Sequence, residues 1–150
     1  MFSVLTEKWA SVLTVIVVSV FVSTMFSCSA DRNMKRGEKY LALGEYFDAG
    51  NEFKQAYSKT SPKDRSRRGQ IASKMAFCYE RINATQKAIA AYRNVIRYKQ
   101  DDGETHLSLA RQLLKNGNYK EAAQEYRIAL DSLTDNRLAR EGLTAATQAP

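Results

Sequence analysis

The sequence predicts an all-α fold: three helix-turn-helix repeats and a C-terminal capping helix, set behind an N-terminal signal or anchor segment. Three observations carry the prediction. Its 150 residues hold only 7 Gly and 2 Pro, so breakers are rare, and 44% hydrophobic against 26% charged content suits one compact domain. The longest uncharged apolar stretch is confined to the N-terminus. The rest repeats one order of small and aromatic residues three times.

No charged residue occurs between Lys8 and Asp31, and the centre of that gap, Ser11 to Phe26, is rich in valine. Such a segment belongs to export or membrane anchoring and is kept apart from the fold. It ends in "STMFSCSA", where Ser27 precedes Cys28, and this resembles a bacterial lipobox. The resemblance implies a leader over 1–27 and a lipid-bearing Cys28 as mature N-terminus. An uncleaved anchor and a plain cleaved signal are the alternatives. Arg32, Lys35, Arg36 and Lys39 follow the segment while Lys8 alone precedes it, so a retained helix would place the remainder in the cytoplasm.

The repeat is read from the stretch "LALGEYFDAGNEFKQAY". Its first copy uses Gly37, Tyr40, Gly44, Tyr46, Ala49, Phe53 and Ala56. The second uses Ala76, Tyr79, Asn83, Thr85, Ala88, Tyr92 and Val95, and the third Ala110, Leu113, Gly117, Tyr119, Ala122, Tyr126 and Ala129. Ala88 and Ala122 are 34 positions apart, Ala49 and Ala88 39, and the surplus falls in the polar "SPKDRSRRG". Antiparallel helices approach closely only where one presents Gly or Ala, and the neighbouring ring fills the space beside that contact. Gly44 therefore marks a turn between two helices, and Ala49 with Phe53 a small-large contact.

These residues resemble the tetratricopeptide repeat, with its 34-residue period and its small-x2-Tyr then Ala-x3-Phe order. The resemblance implies repeats at about 31–64, 69–101 and 103–136. The family's tryptophan slot holds Asn33, Ala72 and His106. A stacked array still exposes its last face. Residues 137–150 supply Leu138, Leu143 and Ala146 on one helical side, which reads as a capping helix.

Little in the chain points to chemistry. Cys78 lies in an apolar helical pattern and reads as a small buried hydrophobe. The lone His106 reads as a structural side chain, with no Cys or carboxylate at metal-ligand spacing. Asn83-Ala-Thr85 matches a glycosylation sequon but reads as a turn. No phosphate loop or nucleophile elbow occurs, so neither a cofactor nor an enzymatic activity is expected. The net charge of +7 favours acidic partners, peptidoglycan or anionic lipids. Nucleic acid is excluded as a partner by the export segment and by tyrosines committed to packing. The densest basic cluster, Lys63, Arg65, Arg67 and Arg68, falls in the connector "SKTSPKDRSRRG" and reads as a solvated loop or an anionic contact.

By the same resemblance, the first helix of each pair lines a groove that takes an extended or amphipathic segment. Its candidate residues are Met34, Glu38 and Leu41, then Phe77, Glu80 and Arg81, then Leu107, Arg111, Leu114 and Lys115. Some members bind free C-terminal carboxylates through lysines and asparagines, but Met34 and Glu38 occupy two of those positions here. The strings "CSADRNMKRGEKYLALGEYFDAGNEFKQAYSKTSPKDR", "KMAFCYERI", "AIAAYRNVIRYK" and "LLKNGNYKEAAQEYRIALDS" are similar to the N-terminal region of Bacteroidota OmpA-family lipoproteins, PorE-like and tied to type IX secretion. That resemblance implies a periplasm-facing outer-membrane lipoprotein, anchored through Cys28, that docks envelope proteins. A spacer holding anionic polymers through the basic loop and an inner-membrane-anchored adaptor are the other readings.

Overall fold

In the computed structural model, residues 29–133 and 136–149 are described; the apolar segment and Cys28 lie outside them. Seven helices follow one another among these residues. They are α1 (29–42), α2 (Tyr46–Lys59), α3 (Arg65–Arg81), α4 (Thr85–Arg97), α5 (Gly103–Lys115), α6 (Tyr119–Ser132) and α7 (Arg137–Gln148). Pairs α1–α2, α3–α4 and α5–α6 are the three repeats, and α7 packs on α6 and α5 as a cap. No described helix is long and apolar enough to cross a membrane.

Three helix starts are set by side-chain caps, while α2, α4 and α6 begin without one. Asp64, Asp102 and Asn136 cap α3, α5 and α7 by accepting from the amides of Arg67, Thr105 and Ala139. Inside each repeat the chain reverses through one left-handed residue: Gly44 at φ 77°, Asn83 at 57° and Gly117 at 80°. Gly44 and Gly117 were expected among the packing residues, but a Cβ at either would touch nothing within 4 Å. They are required by backbone conformation, not by close approach. Asn83 takes the same conformation, which makes the sequon a turn.

The core is the small-large register. Ala49, Phe53, Ala56, Ala76, Ala88, Ala110, Leu113, Ala122, Tyr126 and Ala129 are at most 2% exposed, with Tyr79 and Tyr92 buried beside them. Each fully buried large side chain contributes about 1.5–3 kcal/mol of burial. Contacts are closest at Gly37, where a Cβ would lie 2.6 Å from Phe53 Cε1, and at Gly142, where it would lie 2.2 Å from Tyr126 Cζ. A further small position recurs near the start of each first helix and, in the second and third repeats, meets the end of the partner helix. Ala30, Gly69 and Gly103 occupy it, 39 and 34 positions apart, and all three are buried. Gly69 packs on Tyr98 and Gln100, and Gly103 on Ser132 and Leu133.

The tryptophan slot is filled differently in each copy, and its neighbour follows. Asn33 is 3% exposed and donates from Nδ2 to Glu52 Oε2 at 2.5 Å. His106 meets Glu125 through Nδ1 at 2.6 Å. Ala72 stands at the matching place in the middle copy, and Ala91 at the place matching Glu52 and Glu125. Polar is opposed by carboxylate and apolar by apolar, as buried polar groups require.

The connector is shorter than expected. Helix α3 begins at Arg65, so Arg65, Arg67 and Arg68 belong to its first turn and the loop reduces to residues 60–64. The second repeat consequently starts before residue 69.

Replacing Gly37 by Ala is expected to destabilise the chain by about 1–3 kcal/mol, because the Phe53 ring has no space to retreat. Urea unfolding checks this. Adding Phe53→Leu should recover part of the loss, and a G37A variant as stable as the parent would contradict the packing described.

Candidate functional site

Ion pairs across the first helices mark the face on which α1, α3 and α5 lie side by side. Lys74 Nζ meets Glu38 Oε1 at 3.3 Å, and Arg111 donates to Glu80 Oε1 at 3.1 Å. Lys115 Nζ donates to Asn83 Oδ1 at 2.8 Å. The packing that seats Ala76, Tyr79, Ala110 and Leu113 in the core turns Phe77, Glu80, Arg81 and Arg111 outward on the same two helices.

Between α3 and α5 this face opens into a cavity of about 530 Å³, lined by Phe77, Glu80, Arg81, Asn83, Tyr92, Ser108, Arg111 and Gln112. Glu80 is held from two sides, since the Tyr92 hydroxyl donates to its Oε2 at 2.5 Å while Arg111 takes Oε1. Burial, reinforced by the Glu80 carboxylate, pushes the Tyr92 hydroxyl far above its ordinary range, so it remains a neutral donor. Phe77 stays 45% exposed, with the Tyr46 ring edge-on at 5.9 Å. The Arg81 guanidinium sits 5.1 Å above the Tyr46 ring. At the cavity wall Gln112 is 6% exposed, and its side-chain carbonyl finds no hydrogen-bond partner among the described residues. The site thus combines an aromatic shelf, two guanidinium groups and an unsatisfied amide.

Four of the sequence-predicted groove residues, Phe77, Glu80, Arg81 and Arg111, meet in this cavity. Lys115 lies beside it through Asn83, and Glu38 is placed further along by its pair with Lys74. Met34, Leu41 and Leu114 are half-buried against the core. Leu107 is a correction: at 2% exposure it belongs to the core and cannot line a groove, because its helix turns that side toward its neighbours. Asn83, Tyr92, Ser108 and Gln112 were not foreseen as lining residues. Tyr92 was expected only to pack, and nothing in the periodicity distinguishes its buried ring from its exposed-side hydroxyl.

The basic cluster is mostly engaged within the chain. Arg65 donates to the Arg97 carbonyl at 2.9 Å, Arg67 pairs with Asp31, and the Arg68 guanidinium lies 4.3 Å over the Tyr57 ring. Lys63 alone remains on the loop. These arginines tie α3 to α1, α2 and α4.

Cys78 is fully buried, and burial pushes its thiol up to about 11, which excludes a reactive thiolate at neutral pH. Among the described residues no three His, Cys, Asp or Glu side chains are grouped as metal ligands.

Comparison with solved structures identifies the architecture. The first TPR domain of Spaghetti (RPAP3), bound to the HSP90 peptide SRMEEVD, superposes with a TM-score of 0.64 at 18% identity, covering 82% of this chain and 94% of that one. The second TPR domain of human RPAP3, in complex with the HSP70 peptide SGPTIEEVD, gives 0.64 at 16%, covering 84% and 98%. The Arabidopsis OM64 TPR domain gives 0.64 at 15%, covering 82% and 98%. The fold is the tetratricopeptide-repeat fold. No family model and no curated protein matches the sequence.

Within this tetratricopeptide array His106 is a structural residue, as expected, held between two carboxylates. Its two ring nitrogens face carboxylate oxygens, Glu125 at 2.6 Å and Asp101 at 3.0 Å, an arrangement that favours the protonated imidazole, which donates from both. Burial opposes the charge, yet the bonds to Glu125 and Asp101 outweigh it, and the imidazole is held above its ordinary range. The stabilisation is therefore complete below about pH 6.5 and is lost as pH rises through the raised folded-state value. The stability advantage of the parent over His106→Gln, from urea midpoints, should be larger at pH 6 than at pH 9. An advantage independent of pH would contradict the doubly bonded imidazolium.

Proposed function

We propose that this chain is a protein-docking scaffold of the bacterial cell envelope, with its working surface on the face shared by α1, α3 and α5. The observation that carries the reading is the cavity around Phe77, where a large ring stays half-exposed beside Arg81 and Arg111 while Phe53, Tyr79, Tyr92 and Tyr126 are committed to the core. An extended acidic segment fits this chemistry. An apolar side chain would lie on Phe77 and Tyr46, and a carboxylate would sit by the guanidinium groups.

The RPAP3 domains bind peptides ending in EEVD. Here Glu38 is set by Lys74 on the α1 side of the face, and the cations lie on α3 and α5. The preferred segment is thus one whose acidic residues face α5 rather than α1. Lipid on Cys28 would supply membrane residence and the groove partner choice, so the role is assembly and not catalysis. The lipobox-like end of the leader and the likeness of the quoted strings to PorE-like OmpA-family lipoproteins support an outer-membrane, periplasm-facing placement in a type IX secretion, gliding or peptidoglycan-associated assembly.

Phe77→Ala and Arg111→Glu are each expected to weaken partner retention from the membrane fraction about tenfold or more while leaving the helical spectrum intact. Retention equal to that of the parent would remove the groove from consideration. Intact-mass measurement of the same fraction should show an acylated chain beginning at Cys28, and a full-length unmodified chain would overturn the anchoring.

A further inference from the structure

A second cavity, about 460 Å³, lies at the other end of α1, lined by Ser29, Arg32, Asn33, Lys35, Arg36 and Lys59. Residues 29, 32, 33 and 36 recur at helical spacing along one side of α1, and Lys59 enters from the last turn of α2. Asn33 fixes the geometry: buried itself, it bonds Glu52 through its amide and accepts from Lys59 Nζ at 2.8 Å. Arg36 pairs with Glu52 at 3.1 Å and stays largely exposed. Arg32 and Lys35 have no partner among the described residues. Asp31, the nearest carboxylate in sequence, is directed instead to Arg67. Four cations therefore surround one cavity with Glu52 as the single carboxylate bonded into the group, a mutual repulsion that a bound anion relieves.

We propose that this cavity holds the phosphate of an anionic phospholipid headgroup. Arginine forks match phosphate oxygens in pairs, and the lysines add point charge. The lipid source follows from position, since Ser29 of the cavity wall is covalently next to Cys28, the residue that would carry the acyl chains. A headgroup in the same leaflet would thus sit against α1, orient the array on the membrane and leave the Phe77 face clear at the far end of the first helices. This placement rests on the anchored reading above, whereas phosphate recognition by the cavity does not.

Calorimetry on the full chain in neutral detergent tests it, with dihexanoyl-phosphatidylglycerol, dihexanoyl-phosphatidylcholine and inorganic phosphate as the three titrants. Saturable binding of the glycerol lipid is expected, with the choline lipid and inorganic phosphate both weaker. Arg32→Gln and Lys35→Gln, which break no contact with the described residues, should each weaken it roughly fivefold, the ratio corresponding to about 1 kcal/mol per cation. Lys120→Gln on distant α6 should leave it unchanged. Equal affinity for inorganic phosphate overturns the lipid source. Binding untouched by the R32Q/K35Q pair, or lowered as much by K120Q, overturns the site. Neither outcome bears on whether Cys28 is acylated, which the intact mass reports separately.

Discussion

How closely the two helices of each pair can approach governs the whole array. Gly37 admits the Phe53 ring at a distance no side chain would permit, and Gly142 does the same for Tyr126 between the cap and the last repeat. Ala76 and Ala110 hold the matching places opposite Tyr92 and Tyr126, and all are buried. Once those contacts are set, helix spacing and register follow, and each pair presents the next with a face of the same shape. The ends of the pairs obey the same rule through Ala30, Gly69 and Gly103.

That constraint also decides which residues are free for recognition. A helix that commits one side to small-large packing must turn the other outward, so Phe77, Arg81 and Arg111 are exposed because Ala76, Tyr79 and Ala110 are not. The scaffold does not depend on what the outward side carries, and residues there can be matched to a partner without disturbing the core. Polar groups inside the array are handled by local pairing instead. Asn33 with Glu52 and His106 with Glu125 and Asp101 satisfy one another where a large apolar side chain would otherwise fill the slot.

Much of this was legible in the residue pattern. The three repeats, the turns at Gly44, Asn83 and Gly117, the capping helix and the buried Cys78 follow from the residue pattern, and the structure agrees except at Leu138, which was expected on the packed side of the cap but is 52% exposed because the cap turns Ala139 and Ala146 inward. What escaped is what periodicity cannot express. The start of α3 at Arg65 depends on the Asp64 cap, a single side-chain bond within a run of charges that otherwise reads as loop. Leu107 is a groove residue by resemblance to the repeat family, yet a helix packed on two neighbours buries a wider arc than that resemblance describes. The pairing of Asn33, Ala72 and His106 with Glu52, Ala91 and Glu125 was visible in principle, since both sets keep the 39 and 34 spacings. The open amide of Gln112 was not visible, because only the folded surroundings show that nothing bonds it.

The central claim is that partners dock on the α1, α3 and α5 face around Phe77. Its most direct test places a photo-reactive phenylalanine analogue at position 77 and, separately, at exposed position 128 on α6, then crosslinks both in intact membranes. The docking account predicts one discrete adduct from position 77 that is suppressed by an excess of an acidic, aromatic-bearing peptide, and none from position 128. Equal adducts from both positions, or an adduct from position 128 alone, would contradict it.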